Sequence, residues 1–228
     1  MENATQVYPE TRLEKMDAFF EARLDGYEAH MLRNIQSAEE FYPFTAACLP
    51  DEDGCCILDL GCGTGLELRW YYAQNPTAKI TGIDLSAGML AALQESYGAY
   101  HPHLIHGSYF DIPFGESVFD AAVSVESLHH FTGEEKLPLY TKLCRSLKPG
   151  GFLILTDYFA ATDEEERLHR NCLLALKQAQ GLSNTEFYHY DTPLTVTHER
   201  EILLSAGFAN VEILNNWGAT CTLRATRI

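Results

Sequence analysis

The sequence predicts an α/β fold built on a doubly wound, mostly parallel sheet, and three observations carry that prediction. From about residue 55 onward, short apolar runs alternate with amphipathic helical segments. The first run ends in an acidic residue followed by a glycine-rich turn, and only a short polar stretch joins the last two runs. Alternation of this kind gives parallel strands linked by right-handed crossovers. The short final connection gives an antiparallel pair.

Taken in order, the first fifty residues read as an N-terminal helical cap (1–50). Leu13, Met16, Phe19, Phe20, Leu24 and Tyr27 recur at three- and four-residue steps, with Gly26 as a break, and a second helix is expected over Ser37–Cys48. Leu49-Pro-Asp-Glu-Asp-Gly54 marks the boundary to the main domain (51–228). Strands buried on both faces are expected at Cys55–Leu60, Lys79–Ile83, Leu104–His106, Ala121–Val125 and Phe152–Thr156. Amphipathic helices are expected at Leu66–Ala73, Ala87–Tyr97 and Glu134–Leu147, the last opened by the capping box Thr132-Gly-Glu-Glu135. A second box, Thr162-Asp-Glu-Glu165, starts a helix running to about Gln180, longer than a crossover needs. With the aromatic loop after it, this forms an insertion over about 160–195. A helix over Thr197–Ala206 stopped by Gly207, then strands near Val211–Leu214 and Thr220–Thr226, complete the chain.

Composition narrows the function classes. With 16 Lys and Arg against 32 Asp and Glu, the formal net charge is −16, so the surface repels polyphosphate and nucleic acid is not an expected partner. Seven cysteines form no C-x-x-C pair and no zinc-type cluster, and they read as reduced thiols. Met1–Glu10 has no basic stretch leading into an apolar run, and no segment approaches the roughly 18 uncharged apolar residues of a membrane span. The expected setting is the cytoplasm, without membrane association, as a monomer or homodimer.

The strongest motif is Ile57-Leu-Asp-Leu-Gly-Cys-Gly-Thr-Gly-Leu66. Glycines at alternate positions let backbone approach a ligand closely, and the helix that follows points its amide groups at the turn. A dinucleotide fingerprint would read G-x-G-x-x-G, whereas this reads G-x-G-x-G behind Asp59, which argues for an amino-acid-bearing nucleoside. Twenty-three residues after Gly61, Thr81-Gly-Ile-Asp-Leu-Ser86 ends a second strand in Asp84. A carboxylate there can accept both hydrogen bonds of a ribose diol, with Ser86 capping the next helix.

Together these motifs, with Leu147-Lys-Pro-Gly-Gly151 before the fifth strand, resemble the class I S-adenosylmethionine-dependent methyltransferase family from about Leu58 to Phe208. The resemblance implies a Rossmann-like seven-stranded sheet in the order 3-2-1-4-5-7-6 with strand 7 antiparallel. It also implies S-adenosylmethionine as cofactor, S-adenosylhomocysteine as product and in-line transfer of a methyl group to a nucleophile. Carried onto this sequence, the cofactor cradle comprises Asp59, Gly61, Cys62, Gly63, Thr64 and Gly65, with Asp84, Leu85 and Ser86 at the ribose and Met89 and Val125 near the adenosine. In Gly107-Ser-Tyr-Phe-Asp-Ile-Pro-Phe114, Ser108 stands where relatives carry an Asp and Asp111 lies three residues later. Two alternatives follow for adenine recognition: the Asp111 side chain, or backbone amides near Ser108 and Tyr109.

Val123-Ser-Val-Glu-Ser-Leu-His-His-Phe131 lacks the Pro-Pro-aromatic tetrad of amino-methyltransferases and the paired glutamates of arginine methyltransferases, which leaves a small-molecule acceptor. His129 or His130 can act as a general base, or can be a hydrogen-bonded structural group at a strand-to-helix junction. Glu126 and Asp157 end neighbouring strands, but a hard cation needs further oxygen ligands that the sequence does not show, so no metal is expected. Substrate-pocket candidates are Tyr27, His30, Glu126, Tyr158, Phe187 and Tyr188. Two rival readings are a noncatalytic adenosylmethionine-binding or regulatory protein, which would keep every motif, and an NAD-dependent oxidoreductase, which would require the absent G-x-G-x-x-G.

Overall fold

The computed structural model of the protein describes residues 12–183 and 185–228; the reading of Met1–Glu10 falls outside them. Seven strands, β1 (Cys56–Leu60), β2 (Lys79–Asp84), β3 (His103–His106), β4 (Phe119–Val125), β5 (Leu147–Tyr158), β6 (Asn210–Trp217) and β7 (Thr220–Thr226), form one sheet in the order β3-β2-β1-β4-β5-β7-β6. β1 to β5 pair in parallel, and β7 runs antiparallel to both β5 and β6. This is the Rossmann-like order that the resemblance implied. β1 lies between β2 and β4, and the chain winds away from it in opposite directions, so a crevice opens at the carboxyl ends of these central strands.

Both faces of the central strands are covered, as the continuous apolar runs required; the expectation fails at β3, which stands at the sheet edge and has no buried residue. Leu58, Leu60, Ala122, Leu153 and Leu155 face one core with Leu139, Tyr140 and Leu143 of α6 (Gly133–Ser146). Ile57, Ala121, Val123 and Ile154 face the other. There they meet Leu68, Tyr71 and Tyr72 of α4 (Leu68–Gln74) and Leu90 and Leu93 of α5 (Ala87–Tyr97). Period-two alternation along each strand separates the two sets.

The helix starts follow their caps. Ser86 Oγ accepts from the Met89 amide at 3.1 Å, and the Thr132–Glu135 box is complete. At α7 (Asp163–Ala179) the box is half-formed: Thr162 caps the Glu165 amide, but the Glu165 carboxylate accepts from Ala161 N at 2.8 Å, one residue beyond the cap. The final helix is α8 (Val196–Ser205).

Two elements differ from expectation. The first cap helix is two, α1 (Met16–Glu21) and α2 (Tyr27–Asn34), because Gly26 at φ 81° turns the chain between them. β5 begins at Leu147, paired with Phe119, and the register shifts before Phe152 pairs with Ala121. Lys148-Pro-Gly-Gly151 is thus an irregularity inside a strand as well as a turn, with Gly150 at φ 81°.

The cap also divides. α3 (Ala38–Ala47) is tied to the middle of the sheet by buried hydroxyls: Thr45 Oγ1 lies 2.5 Å from Thr156 Oγ1, which lies 2.8 Å from Thr222 Oγ1. α1 instead is bound to the insertion. Met16 N donates to Phe187 O at 3.2 Å, His189 N donates to Glu14 O at 3.0 Å, and Lys15 and Tyr188 form an antiparallel bridge. Among the described residues no helix is long and apolar enough to cross a membrane.

Candidate active site

The glycine turn after β1 is held from below. Gly61 and Cys62 donate to Ile83 O of β2, and Gly63 N donates to Asp84 Oδ2 at 2.9 Å while Ser86 N donates to Asp84 Oδ1 at 2.8 Å. Asp84 is therefore fixed in orientation, with lone pairs left on both oxygens. Gly61, Gly63 and Gly65 have φ of 70°, 50° and 77°, the left-handed region where a Cβ is penalised. A Cβ on Gly61 would lie 2.1 Å from Ser127 Oγ, and one on Gly65 3.0 Å from Leu93; at Gly63 nothing stands within 4 Å, because that position faces the cleft.

This cleft is lined by Gly61, Gly63, Asp84, Leu85 and Met89 on one side and by Tyr109, Val125, Glu126, Ser127 and His130 on the other. Tyr109 is anchored by a 3.2 Å contact between its hydroxyl and Ser127 Oγ. The loop from Ser108 onward is clamped by Lys142, whose Nζ donates to the carbonyls of Tyr109, Phe110 and Ile112 at 2.7–2.9 Å.

Not every cofactor candidate reaches the cleft. Asp59 is fully buried under the turn, where desolvation and the neighbouring Glu67 hold its carboxyl well above the usual range. Cys62 turns back against Gly82 and Leu104, and Thr64 and Gly65 are buried. Ser86 acts as a cap, and the Ser108 hydroxyl accepts from Phe110 N at 3.2 Å. Asp111 is exposed.

Over the cleft lies α1, with Met16 and Phe20 in its lining together with Tyr27 of α2. Glu21 locks the helix down, accepting from Ser86 Oγ at 2.6 Å and Gly88 N at 3.1 Å. A narrow space of about 50 Å³ lies between α1 and the glycine turn.

Beside the cleft is a chamber of about 640 Å³ between the cap and the insertion, lined by Phe19, Phe20, Tyr27, His30, Met31, Glu126, His129, His130, His189 and Asp191 among others. Tyr27, His30 and Glu126 fall where the sequence suggested. Phe187 does not: it packs on Phe110 and Phe131 at ring distances of 4.9 and 5.0 Å. Tyr188 points the other way, into a cluster with Leu13, Leu173 and Leu176, because the strand-like 186–189 segment alternates its side chains. Tyr158 flanks His129 from behind, 6.0 Å ring to ring.

Electrostatics concentrate at the chamber floor. Asp157 Oδ1 receives His129 Nδ1 at 2.5 Å, and its other oxygen accepts from Leu128 N at 2.9 Å. Burial disfavours charging His129, but Asp157, Asp191 and Glu126 override it and raise the imidazole to about 9. Burial and the neighbouring His129 charge push His130 down, and burial pushes His189 down to about 4. Desolvation raises Glu126 to about 7. Glu126 also sits at φ 49°, a left-handed conformation for a side-chain-bearing residue that aims its carboxylate along the wall shared by both spaces. Sequence reasoning missed Phe20, Glu21, Ser127 and Asp191. The cap residues carried only a helical period, and Asp191 lies remote in the chain from the histidines it meets.

Comparison with known proteins agrees with this geometry. A family model described as a methyltransferase domain matches residues 57–151. The chain is 33% identical over 194 residues to a carboxy-S-adenosyl-L-methionine synthase of Wolinella succinogenes, covering 76% of each protein. It is 28% identical over 141 residues to a tRNA (carboxymethyluridine(34)-5-O)-methyltransferase of Arabidopsis thaliana, covering 61% of this chain and 33% of that one. Among solved structures, an S-adenosylmethionine-dependent methyltransferase of Mesorhizobium loti superposes with a TM-score of 0.59 at 20% identity, over 81% of this chain and 96% of that one. The chain spans three quarters of the synthase but less than half the length of the other curated relatives compared. The glycine turn, the fixed Asp84, the strand order and the synthase likeness agree: the chain belongs to the class I S-adenosylmethionine-dependent methyltransferase family.

Proposed function

We propose that this chain binds S-adenosylmethionine in the cleft over Gly63 and Asp84 and transfers its methyl group to a neutral or cationic small molecule held in the adjoining chamber. The observation that carries the reading is the shared wall. Phe20, Tyr27, Glu126 and His130 line both spaces, so a nucleophile in the chamber faces a cofactor in the cleft. Methyl transfer asks mainly for that alignment, because the sulfonium is already activated.

The chamber carries Asp25, Glu126 and Asp191 against two cations that already have partners, Arg23 with Glu14 at 2.8 Å and His129 with Asp157 at 2.5 Å, and this lining disfavours an anionic acceptor. Together with the net charge of −16, it supports a small molecule over nucleic acid. His129 and His130 line the chamber, and because His130 also lines the cleft, it is our candidate for the group that meets the nucleophile. Seven unpaired thiols support a reducing, cytoplasmic setting.

The test is incubation with methyl-labelled S-adenosylmethionine and a panel of small oxygen, nitrogen and sulfur nucleophiles, followed by mass analysis. The expected result is S-adenosylhomocysteine in step with a methylated acceptor. A bound cofactor that never turns over would identify a noncatalytic binder. The likeness to the synthase favours one other outcome, tested by adding a panel of carboxyl donors to the same incubation, in which S-adenosylmethionine itself gains a carboxylate from the donor.

Two further results are expected. Asp84→Ala should raise the Kd for S-adenosylmethionine roughly 10- to 100-fold by removing the ribose acceptors and the ties to Gly63 and Ser86; an unchanged titration would refute the ribose assignment. Because α1 closes the cleft, Glu21→Ala should speed cofactor association roughly three- to tenfold in stopped-flow fluorescence. Equal rates would mean that α1 is no lid.

A further inference from the structure

Folding assembles a donor set that the sequence spacing does not show. His129, His130 and Asp191 each offer one ligand atom, and the three atoms lie within 4.8 Å of one another at the chamber floor. Asp191 Oδ1 is 3.2 Å from His130 Nδ1 and 3.7 Å from His129 Nε2. Three ligands around a tetrahedral ion with bonds of about 2 Å stand roughly 3.3 Å apart, so only small shifts separate this arrangement from a coordination sphere.

A second, independent observation points the same way. His130 Nδ1 is buried and makes no hydrogen bond of good geometry, although Asp191 Oδ1 faces it at 3.2 Å. A buried nitrogen in so poor a contact gains when an ion shared with that carboxylate takes up its lone pair. His129 is prepared differently. Its Nδ1 is taken by Asp157 Oδ1 at 2.5 Å, and Asp157 is itself held by the amides of Leu128 and Tyr158, each at 2.9 Å. A carboxylate behind an imidazole orients the ring and turns Nε2 outward, where a bound metal ion displaces the Nε2 proton.

We propose that His129 Nε2, His130 Nδ1 and Asp191 Oδ1 bind a divalent first-row transition-metal ion, with Asp157 as the positioning residue behind His129. Two imidazoles and one carboxylate suit zinc or ferrous iron and not magnesium or calcium, which prefer oxygen ligands. The remaining coordination positions open into the chamber, where a water or the oxygen or nitrogen of an acceptor completes the sphere. An acceptor bound there loses its proton more readily.

The inference goes beyond methyl transfer and is tested without cofactor or acceptor. The full chain, stripped with a chelator and kept reduced with a phosphine, is titrated with Zn²⁺ by calorimetry, and in parallel with Co²⁺ by absorbance. One equivalent per chain is expected, with cobalt d–d bands and no intense near-ultraviolet thiolate band. Asp157→Asn should weaken zinc roughly 10- to 100-fold, and Asp191→Ala and His130→Ala by more. His103→Ala, an exposed histidine on β3, should change nothing. Asp191 has a side chain 46% exposed, so its variant keeps the fold and keeps the test decisive where a buried histidine variant unfolds. Wild-type zinc affinity in Asp191→Ala, a thiolate band with cobalt, or no stoichiometric binding would each overturn the proposal.

Discussion

Gly63→Arg is expected to abolish S-adenosylmethionine binding, raising the Kd by at least about 1,000-fold, while leaving the circular dichroism spectrum intact. The contrast with its neighbours makes this the sharpest substitution in the turn. At Gly61 an added Cβ strikes Ser127 Oγ and at Gly65 it strikes Leu93, so changes there disturb the protein itself. At Gly63 a Cβ meets nothing within 4 Å, and the penalty is confined to a left-handed φ of 50°, about 1–2 kcal/mol. A guanidinium side chain at that position extends into the space that the cofactor must occupy. Titration calorimetry together with thermal melting checks both halves of the expectation, and retained affinity would remove the cofactor from this cleft.

Lys136→Met should produce the largest loss of stability. Lys136 is 2% exposed where α6 meets α8, and its Nζ donates to Glu199 Oε2 at 2.7 Å; Glu199, fully buried, also accepts from the Tyr140 hydroxyl. Removing the lysine strands a carboxylate inside the core, which costs about 3–5 kcal/mol. For a chain of this length that corresponds to a fall in Tm of roughly 10 °C. Adding Glu199→Gln should recover part of the loss, since it removes the unpaired charge and keeps an amide oxygen to accept from the Tyr140 hydroxyl. A shift of less than about 2 °C in the single variant would show that the buried pair contributes little to stability.

Most of the architecture is legible in the sequence because it is local. Strands buried on both faces read as unbroken apolar runs, and the caps at Ser86, Thr132 and Thr162 mark where helices start. The irregular start of β5 is not legible, since Leu147 is strand only through its pairing with Phe119 across the sheet. The cofactor side of the site is equally local: the turn and Asp84 are ordered by hydrogen bonds between adjacent strands. The acceptor side is not. His189 and Asp191 reach the chamber, and Tyr188 leaves it, according to how the 186–189 segment pairs with the residues around Lys15. Similarly, the adenine side rests on a loop held by Lys142 from α6, a contact of backbone carbonyls with a distant amine that no motif records.

The central claim is that the Gly63–Asp84 cleft takes S-adenosylmethionine, and calorimetric titration of the purified chain with S-adenosylmethionine, S-adenosylhomocysteine and NAD tests it most directly. The account predicts one-to-one binding of both sulfur nucleosides and no heat from NAD. Binding of NAD, or silence from both sulfur nucleosides, would contradict it.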